Sequence, residues 1–464
     1  MKNTKKRLEV FSFYDHAGIS RHLEEMAAKG WMIERMSNFG WVYHRIDPKP
    51  VKFAVSYYPK ASEFDPEPTD AQKTFHEFCA HTGWKLACTS AQLQIFYNEQ
   101  ENPTPIETDP MLEIESIHAS AKKNYILHYL LLLLISIMGG GLFISGMFGD
   151  PIGQLASPTK LFIGLCYFVL FVVCVVELIC YFHWYYKAKE LAEQGEFLKP
   201  VSTARFQKII LGAATIGFIC WEVNFIFTGD KLRRWIGIVM CFYMPLLMLA
   251  VNATKNALKK RKASRGVNRI ITILVDFILA FALMGLITFG TLKLSSLGFF
   301  ADEAEGTYEH GGMTWVIHND VLPLIIEDLA GEENEGYIKE RRGDESLLLG
   351  QFVLRQQPRF DVDNYEELHQ LEYTMVFVKL PALYGICKNR LVYEGEKLHP
   401  ISESEYIAQD ATSWGANEVY RLYDSVYGWE NKYLLCYDNF LVEINFDWEL
   451  TEEQMKIVGE KLGK

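Results

Sequence analysis

Three ionisable residues lie inside long apolar stretches of this 464-residue chain: Glu177, Asp276 and His128. A charged side chain is costly in hydrocarbon, so such residues usually face a polar pocket and often mark a path for ions or protons. We predict that the three share one intramembrane polar pocket. Two alternatives are open for the role of this pocket. It binds a proton or ligand, or it holds helices together through hydrogen bonds.

A fourth acidic residue, Glu222, comes near the end of another apolar stretch. Arg233 and Arg234 follow it beyond a short Gly229-Asp230 turn. Opposite charges attract strongly where water is scarce. We therefore predict a structural ion pair between Glu222 and these two arginines.

The residues whose types suit a metal ion are His76, Cys79 and His81, with Cys88 as a further ligand. Their spacing, His-x-x-Cys-x-His, matches no zinc-finger pattern. An amphipathic helix with Cys79 buried explains the same residues more simply. We accordingly predict no metal site and no cofactor.

Catalytic motifs are not found in the sequence. It contains no Gly-x-Ser-x-Gly, no phosphate-binding loop and no His-Glu-x-x-His. We therefore expect a non-enzymatic protein and assign no catalytic residue.

Five apolar stretches position these residues. Each is long enough to cross a bilayer core, which requires about 20 residues of helix. Leu130–Leu134 and Leu161–Val176 are apolar on every side, whereas a helix of a soluble protein is apolar along one stripe. The lipid bilayer is therefore a predicted partner of the region 111–298. The predicted transmembrane helices are 125–148, 161–186, 206–228, 235–253 and 270–292.

The orientation follows from Lys and Arg near the ends of the spans, which favour the cytoplasmic side. With the N-terminus inside, the inner segments carry 13 such residues and the outer segments carry five. The loop from Lys255 to Arg269 accounts for most of the difference. We expect a cell-membrane protein with a cytoplasmic N-terminus and an extracytoplasmic C-terminus.

Residues 299–464 are predicted to form an acidic extracytoplasmic α+β domain. They contain 33 Asp and Glu against 14 Lys and Arg, a balance of −19 in a chain whose net charge is −12. Phosphate backbones bind basic surfaces, so we expect no direct nucleic-acid binding. The predicted strands are 347–354, 373–379, 433–437 and 440–446.

Three further features belong to this domain. Thr451, with Gln454 three residues later, predicts a capped helix start. Cys387 and Cys436 are able to form a disulfide in an oxidising compartment, and their spacing leaves that question open. An aromatic-rich segment runs from Trp414 to Trp429, for which core packing is the favoured interpretation.

Residues 1–110 contain a repeat, because Gly30-Trp31 recurs as Gly83-Trp84, 53 positions later. In both copies the glycine follows a helical stretch, as a left-handed helix end requires. Strands at Leu8–Phe13 and Lys52–Tyr58 are predicted to precede the two helices, and a turn is predicted at Asn38–Gly40. The pattern predicts a duplicated strand–helix–strand–strand unit, with two helices covering one sheet.

Aromatic residues of this domain allow two interpretations. They line a groove for an apolar ligand, as in some sensing domains, or they fill the core; the core is the favoured interpretation. The residues concerned are Trp31, Trp41, Tyr43, Tyr57, Trp84 and Phe96.

Three stretches, Lys29-Gly30-Trp31, Phe39–Ile46 and Val55–Tyr58, resemble the bacterial "domain of unknown function 2812" family. The resemblance covers residues 8–98 or so. It implies that membrane spans follow the domain, as in many members. Genes of that family often lie beside transcription regulators of the PadR type, which implies regulated membrane sensing without transferring any active residue.

We predict a non-enzymatic membrane sensor or regulatory protein, with a cytoplasmic regulatory protein as its partner. The first alternative is a transport-related protein that uses the intramembrane carboxylates. The second is a membrane enzyme with an unrecognised site. Five spans without an evident internal repeat disfavour transport. The oligomeric state is left open.

The charge asymmetry generates a test of topology. A reporter enzyme that functions only outside the cytoplasm, fused after Lys464, should be active. The same reporter fused to the N-terminus should be inactive, because the N-terminus is expected to stay in the cytoplasm. An expressed but inactive reporter at Lys464 would overturn the model of five spans with an inner N-terminus.

Overall fold

The computed structural model of the chain forms two compact units. The first comprises Met1–Met138 and Cys166–Phe300, and the second comprises Gly139–Leu165 and Ala301–Lys464. The structure describes residues 3–37, 40–228, 231–297, 299, 306–331, 336–362, 368–397 and 402–463.

The first unit opens with two copies of one motif. The first copy consists of β1 (Thr4–Arg7), α1 (His16–Ala28), β2 (Trp31–Arg35) and β3 (Trp41–Arg45). The second copy consists of β4 (Lys52–Tyr57), α2 (Asp70–His81), β5 (Lys85–Ser90) and β6 (Leu93–Asn98). The described strands form two antiparallel sheets with equivalent orders, β1-β3-β2 and β4-β6-β5. The predicted duplication is therefore present, but each copy has its own sheet instead of sharing one.

The helix ends of the two copies agree with the sequence. Gly30 and Gly83 have φ angles of 78° and 86°. These lie in the left-handed region, which glycine enters without the steric cost that a Cβ brings. Each glycine therefore ends a helix and turns the chain into the strand that its tryptophan begins or precedes.

The predicted strand at Leu8–Phe13 is wrong, because the first strand is β1, at Thr4–Arg7. Residues 8–13 instead lead into α1, with Ser12 buried and with Phe11 and Phe13 packed against the hydrophobic core. Phe11 stacks on Trp41 of β3, and Phe13 packs on Tyr57 of β4 and on Tyr125. The backbone of this segment is not part of a strand. Asn38 and Phe39 of the predicted turn lie outside the described residues.

Long helices follow, separated by short connections. Within the described residues, five helical regions are long and apolar enough to cross a membrane. The helices are α3 (Pro110–Lys123), α4 (Tyr125–Gly149), α5 (Pro151–Ala156), α6 (Pro158–Ala192), α7 (Ala204–Thr228), α8 (Lys231–Lys260) and α9 (Arg265–Ser296). The long helices extend beyond the predicted spans because polar residues at their ends continue the helical backbone.

One hydrophobic core joins the N-terminal sheets to the helices of the first unit. It contains Leu23 of α1 and Tyr43 of β3 together with Ile117 of α3, Tyr125 of α4 and Trp184 of α6. Burial of apolar area is the main stabilising contribution to a fold. Residues 1–110 therefore share their core with helices that lie later in the chain.

In the described part of the second unit, seven strands form an antiparallel sheet of order β12-β13-β14-β15-β11-β10-β9, beside a separate β7-β8 hairpin. The strands are β7 (Gly306–His310), β8 (Met313–Ile317), β9 (Tyr337–Glu345), β10 (Leu349–Pro358), β11 (Leu371–Val378), β12 (Ser404–Gln409), β13 (Glu418–Asp424), β14 (Gly428–Cys436) and β15 (Phe440–Phe446). The helices are α10 (Ile326–Ala330), α11 (Tyr384–Glu396) and α12 (Glu452–Leu462). Each of the four predicted strands overlaps one of these strands.

The two faces of this sheet carry different partners, because alternate residues of a strand point to opposite faces. Val442 and Ile444 pack in the cluster that includes Trp414 and α12. Leu441 packs in the other cluster, with α11 and with Ile152 of α5. The Ser346 hydroxyl donates to the Leu155 carbonyl at 2.6 Å. The connection between α4 and α6 is therefore part of this domain's core, which the sequence did not indicate.

Two further features of this domain, a helix cap and a pair of cysteines, were considered from the sequence. Thr451 and Gln454 form the predicted capping box at the start of α12. Cys387 and Cys436 are buried free thiols. Burial raises the pKa of each to about 11, so both are uncharged at neutral pH. They pack as small apolar residues.

The two repeat tryptophans differ in burial and so should differ in importance. Trp84 is 4% exposed and its indole N–H donates to the Thr104 carbonyl at 2.8 Å. Replacing Trp84 by Ala should destabilise the protein by about 3–5 kcal/mol. Trp31 is only half-buried, against Lys5 and Arg45, so Trp31→Ala should cost about 1 kcal/mol.

The measurement is thermal unfolding of the full-length variants in one detergent, with Trp84→Phe as a control that retains a ring. Equal losses for Trp31→Ala and Trp84→Ala would contradict the different burial of the two rings.

Candidate functional site

Glu177, in the middle of α6, lies at the centre of a buried polar cluster. Its side chain is fully buried, and its Oε2 accepts hydrogen bonds from the Ser12 hydroxyl at 2.8 Å and the Tyr125 hydroxyl at 2.7 Å. Its Oε1 has no hydrogen-bond partner among the residues that the structure describes. The carboxylate thus links α6 to α4 and to the segment that precedes α1.

A second layer of hydrogen bonds surrounds Ser12. Its hydroxyl lies 2.5 Å from that of Thr203, the residue before α7. The Gln207 amide donates to Ser12 at 2.9 Å and to Thr203 at 3.3 Å. We call Glu177, Ser12, Tyr125, Thr203 and Gln207 the Glu177 hub. It joins the N-terminal domain to three long helices.

Aromatic rings shield the hub from water. Tyr14 packs at centroid distances of 5.8 Å on Tyr125, 5.2 Å on Tyr181 and 5.3 Å on Trp184. Burial, followed by the charge of Glu177, raises the pKa of Tyr14 above its usual range. The phenol therefore stays neutral, and the hydrogen bonds of the hub act in a medium of low dielectric, where they are stronger than in water.

The residues after Tyr14 form the start of α1. The Asp15 carboxylate accepts from the Gly18 N–H at 2.9 Å and caps the helix. Burial raises the pKa of Asp15, against opposing hydrogen bonds from Ser202 and Gly18. Burial also lowers the pKa of His16 to about 4, so its imidazole is neutral at pH 7. The hub and the N-terminus of α1 are consequently consecutive along the chain.

The depth of Glu177 in the bilayer stays a prediction. Helix α6 has 35 residues, and at a rise of about 1.5 Å per residue it is longer than a bilayer core of about 30 Å. Part of α6 must then project from the bilayer. Within the first unit, Glu177 contacts Ser12 of the N-terminal domain at 2.8 Å.

The structure does not bring the three predicted pocket residues together. Asp276 on α9 and His128 on α4 are both exposed, whereas Glu177 is buried. The His128 ring contacts the Asn124 carbonyl at 2.7 Å, within its own helix. Glu177 finds hydroxyl partners instead, and these come from segments whose sequence gave no signal of a site.

For the predicted ion pair of Glu222 with Arg233 and Arg234, the structure shows the surroundings of Glu222. Glu222 is buried, and its Oε1 accepts from the Cys241 thiol at 3.1 Å. The turn residues Gly229 and Asp230 lie outside the described residues. An ion pair of Glu222 with Arg233 or Arg234 stays a prediction.

The histidines of α2 have protein partners. His76 contacts the Gln94 amide oxygen at 2.7 Å, and His81 contacts the Glu77 carbonyl at 2.7 Å. Cys79 is buried, as the amphipathic-helix interpretation requires. In the described ranges, no group of three or more His, Cys, Asp or Glu residues is arranged to hold a metal ion.

The aromatic residues proposed for a groove mostly belong to the core. Five of the six are at most 6% exposed, and only Trp31 is half-buried. The buried ones are Trp41, Tyr43, Tyr57, Trp84 and Phe96.

An open groove of about 810 Å³ does exist in the first unit, bounded by α1, β4, residues 101–107 and residues 197–199. Charged side chains of both signs line it, among them Arg21, Glu24, Glu107 and Lys199. The Ser56 hydroxyl donates to Glu107 at 2.7 Å. A groove of this size can accept a small molecule or a short peptide segment.

Comparison with known families agrees with the resemblance seen in the sequence. Residues 17–130 match the family described as a protein of unknown function (DUF2812). The N-terminal region is a DUF2812 domain. The matched range runs past residue 98 through α3 and into α4, so it includes Tyr125 of the Glu177 hub. Searches of curated proteins and of solved structures found no match.

The hub generates a prediction that separates a structural from a proton-binding role. Glu177→Gln keeps the size and most hydrogen bonding of the side chain, so a structural hub should retain protein abundance and thermal stability. Glu177→Leu leaves the Ser12 and Tyr125 hydroxyls without their acceptor, at a cost of about 1–3 kcal/mol each. We expect Gln to be tolerated and Leu to lower the midpoint of thermal unfolding.

Both variants should be measured for abundance in membranes and for unfolding in detergent. A Leu variant as stable as the wild type would contradict the structural role. A Gln variant that is abundant and folded but biologically inactive would favour proton binding.

Proposed function

We propose that the chain is a non-enzymatic membrane sensor or regulatory protein. Its DUF2812 domain would convey the state of the membrane helices to a cytoplasmic partner protein. The observation that supports this proposal is the Glu177 hub, in which Ser12 of the domain is hydrogen-bonded to Glu177 of α6 and, at α7, to Thr203 and Gln207. Glu177 is also bonded to Tyr125 of α4. A shift of any of these helices changes the acceptors and donors available to Ser12.

The route from the hub into the domain is short. Ser12 is followed by Tyr14, which packs among the helix aromatics, and by Asp15, which caps α1. Helix α1 packs on β2 of the first copy and on β4 of the second. Movement at the hub would therefore act on both halves of the DUF2812 domain at once.

The acidic C-terminal domain is the proposed detector. Helices α4 and α6 each have one part in the first unit and one part in the second. In the second unit, the α5 segment that connects them packs into the core of the C-terminal sheet. A ligand or partner of that domain would act on the same two helices that carry Tyr125 and Glu177. The charge asymmetry supports an extracytoplasmic location for the detector and a cytoplasmic one for the DUF2812 domain.

The transport alternative would use the intramembrane carboxylates Glu177 and Asp276. Asp276 is exposed while Glu177 is bonded to Ser12 and Tyr125, an arrangement that supports sensing better than transport. Sensing is therefore the function that we propose.

The test should use the whole chain, because residues 1–110 share their core with α3, α4 and α6. A proximity-labelling ligase fused to the N-terminus would identify cytoplasmic neighbours in living cells. We expect at least one protein whose labelling changes in Ser12→Ala, which removes the hydroxyl that the domain places against Glu177.

Ser120→Ala is the matched control. Ser120 is also a fully buried serine of the first unit, and its hydroxyl has no hydrogen-bond partner among the described residues. Labelling should therefore be the same in Ser120→Ala and in the wild type. If Ser12→Ala is present at wild-type abundance and labels the same proteins to the same extent, the hub does not transmit a signal.

A further inference from the structure

A second junction in the first unit is made of charged groups. The acidic loop, which comprises residues 58–69 between β4 and α2, lies against the basic turn, residues 255–269 at the junction of α8 and α9. The ion pairs are Lys255–Glu63 at 2.8 Å, Lys262–Glu67 at 2.7 Å and Arg265–Asp65 at 2.6 Å.

Arg265 and Asp65 form the best-defined pair. The Arg265 Nε donates to Asp65 Oδ1 at 2.6 Å, and its Nη2 donates to Oδ2 at 2.7 Å. The same Nη2 also donates to the Lys60 carbonyl at 2.8 Å. A guanidinium presents this two-pronged geometry equally well to a carboxylate and to a phosphate. Asp65 therefore occupies a position that a phosphate group fits.

The basic turn has more cations than the acidic loop neutralises. Residues 255–269 contain seven Lys and Arg and no Asp or Glu. Three of the seven form the ion pairs above. Lys260, Arg261 and Arg269 are exposed, and the ion pairs found among the described residues do not include them.

The location of these cations indicates their partner. The basic turn joins two helices that are each long and apolar enough to cross a membrane, so its side chains lie at the level of lipid headgroups. Clusters of four to eight Lys and Arg directly beside a membrane helix attract anionic lipids.

We propose that the basic turn binds anionic phospholipid headgroups in the leaflet that faces the DUF2812 domain, and that the acidic loop competes with these lipids for the same cations. Lys260, Arg261 and Arg269 recruit the lipid phosphates. Lys255, Lys262 and Arg265 then exchange their carboxylate partners for phosphates. This inference concerns a different junction from the Glu177 hub and does not depend on the function proposed above.

Such an exchange is feasible because at least one partner of each ion pair keeps about half or more of its side-chain surface exposed to water. Lys262 and Glu67 keep 75% and 50% of their side-chain surface exposed. Exposed pairs contribute little to stability, since water and salt screen them. Asn268, which is fully buried and donates to the Phe64 carbonyl at 3.2 Å, keeps the loop nearby while its charges change partners.

The experiment measures the ion pairs directly by zero-length carbodiimide coupling, which joins an amine to a carboxylate only at contact distance. The full-length chain is reconstituted in nanodiscs of phosphatidylcholine, with or without phosphatidylglycerol. Coupled peptides of Lys255–Glu63 and Lys262–Glu67 are quantified by mass spectrometry. The internal reference is Lys49–Glu99, an ion pair at 3.0 Å within the DUF2812 domain.

We expect phosphatidylglycerol to lower the yield of the two junction pairs, relative to Lys49–Glu99, by about threefold or more. The triple variant K260Q/R261Q/R269Q keeps all three ion pairs but lacks the recruiting cations. Its yields should match those of the wild type in phosphatidylcholine and should respond much less to phosphatidylglycerol.

Two results would overturn the proposal. One is a relative yield that is the same in both lipids. The other is a triple variant that responds to phosphatidylglycerol as strongly as the wild type, which would mean that Lys260, Arg261 and Arg269 do not recruit the lipid.

Discussion

The burial of one carboxylate constrains the whole first unit. An ionisable group that is removed from water must be matched by hydrogen bonds or charges, because the loss of hydration is otherwise too costly. In Glu177 the compensation comes from the hydroxyls of Ser12 and Tyr125, which lie 165 and 52 positions away in the chain. The folded unit must therefore hold the segment before α1, helix α4 and helix α6 together at one point.

This constraint accounts for features that are otherwise unexpected. The segment Leu8–Phe13 has the composition of a strand, yet it does not pair in a sheet, since Ser12 and its neighbours are engaged with the helices. Tyr14 then packs among helix aromatics and Asp15 caps α1. The hydrophobic core consequently continues from the sheets into the helices, and the DUF2812 domain and the start of the membrane region form one packed body.

Features that depend on neighbouring residues were predictable from the sequence. The left-handed ends at Gly30 and Gly83, the capping box at Thr451 and the five apolar helices follow from local backbone chemistry and from composition. Of the hub residues, only Glu177 could be predicted from the sequence, because a carboxylate is conspicuous in an apolar stretch. Ser12, Thr203 and Gln207 are ordinary polar residues near chain turns. Asp276 and His128 are equally conspicuous but lie elsewhere, since position along a helix does not determine which face a residue occupies in the bundle.

The DUF2812 domain is thus attached to the helices in two physically different ways. The Glu177 hub is buried and hydrogen-bonded, so dissolved salt cannot screen it and its geometry is fixed by packing. The contact between the acidic loop and the basic turn is ionic and partly exposed, so salt and competing anions weaken it more readily than the hub. The ion pairs of the second junction can therefore exchange partners while the hydrogen bonds of the first stay intact. Changes at the membrane surface would then act on the acidic loop without unfolding the core that the domain shares with α4 and α6.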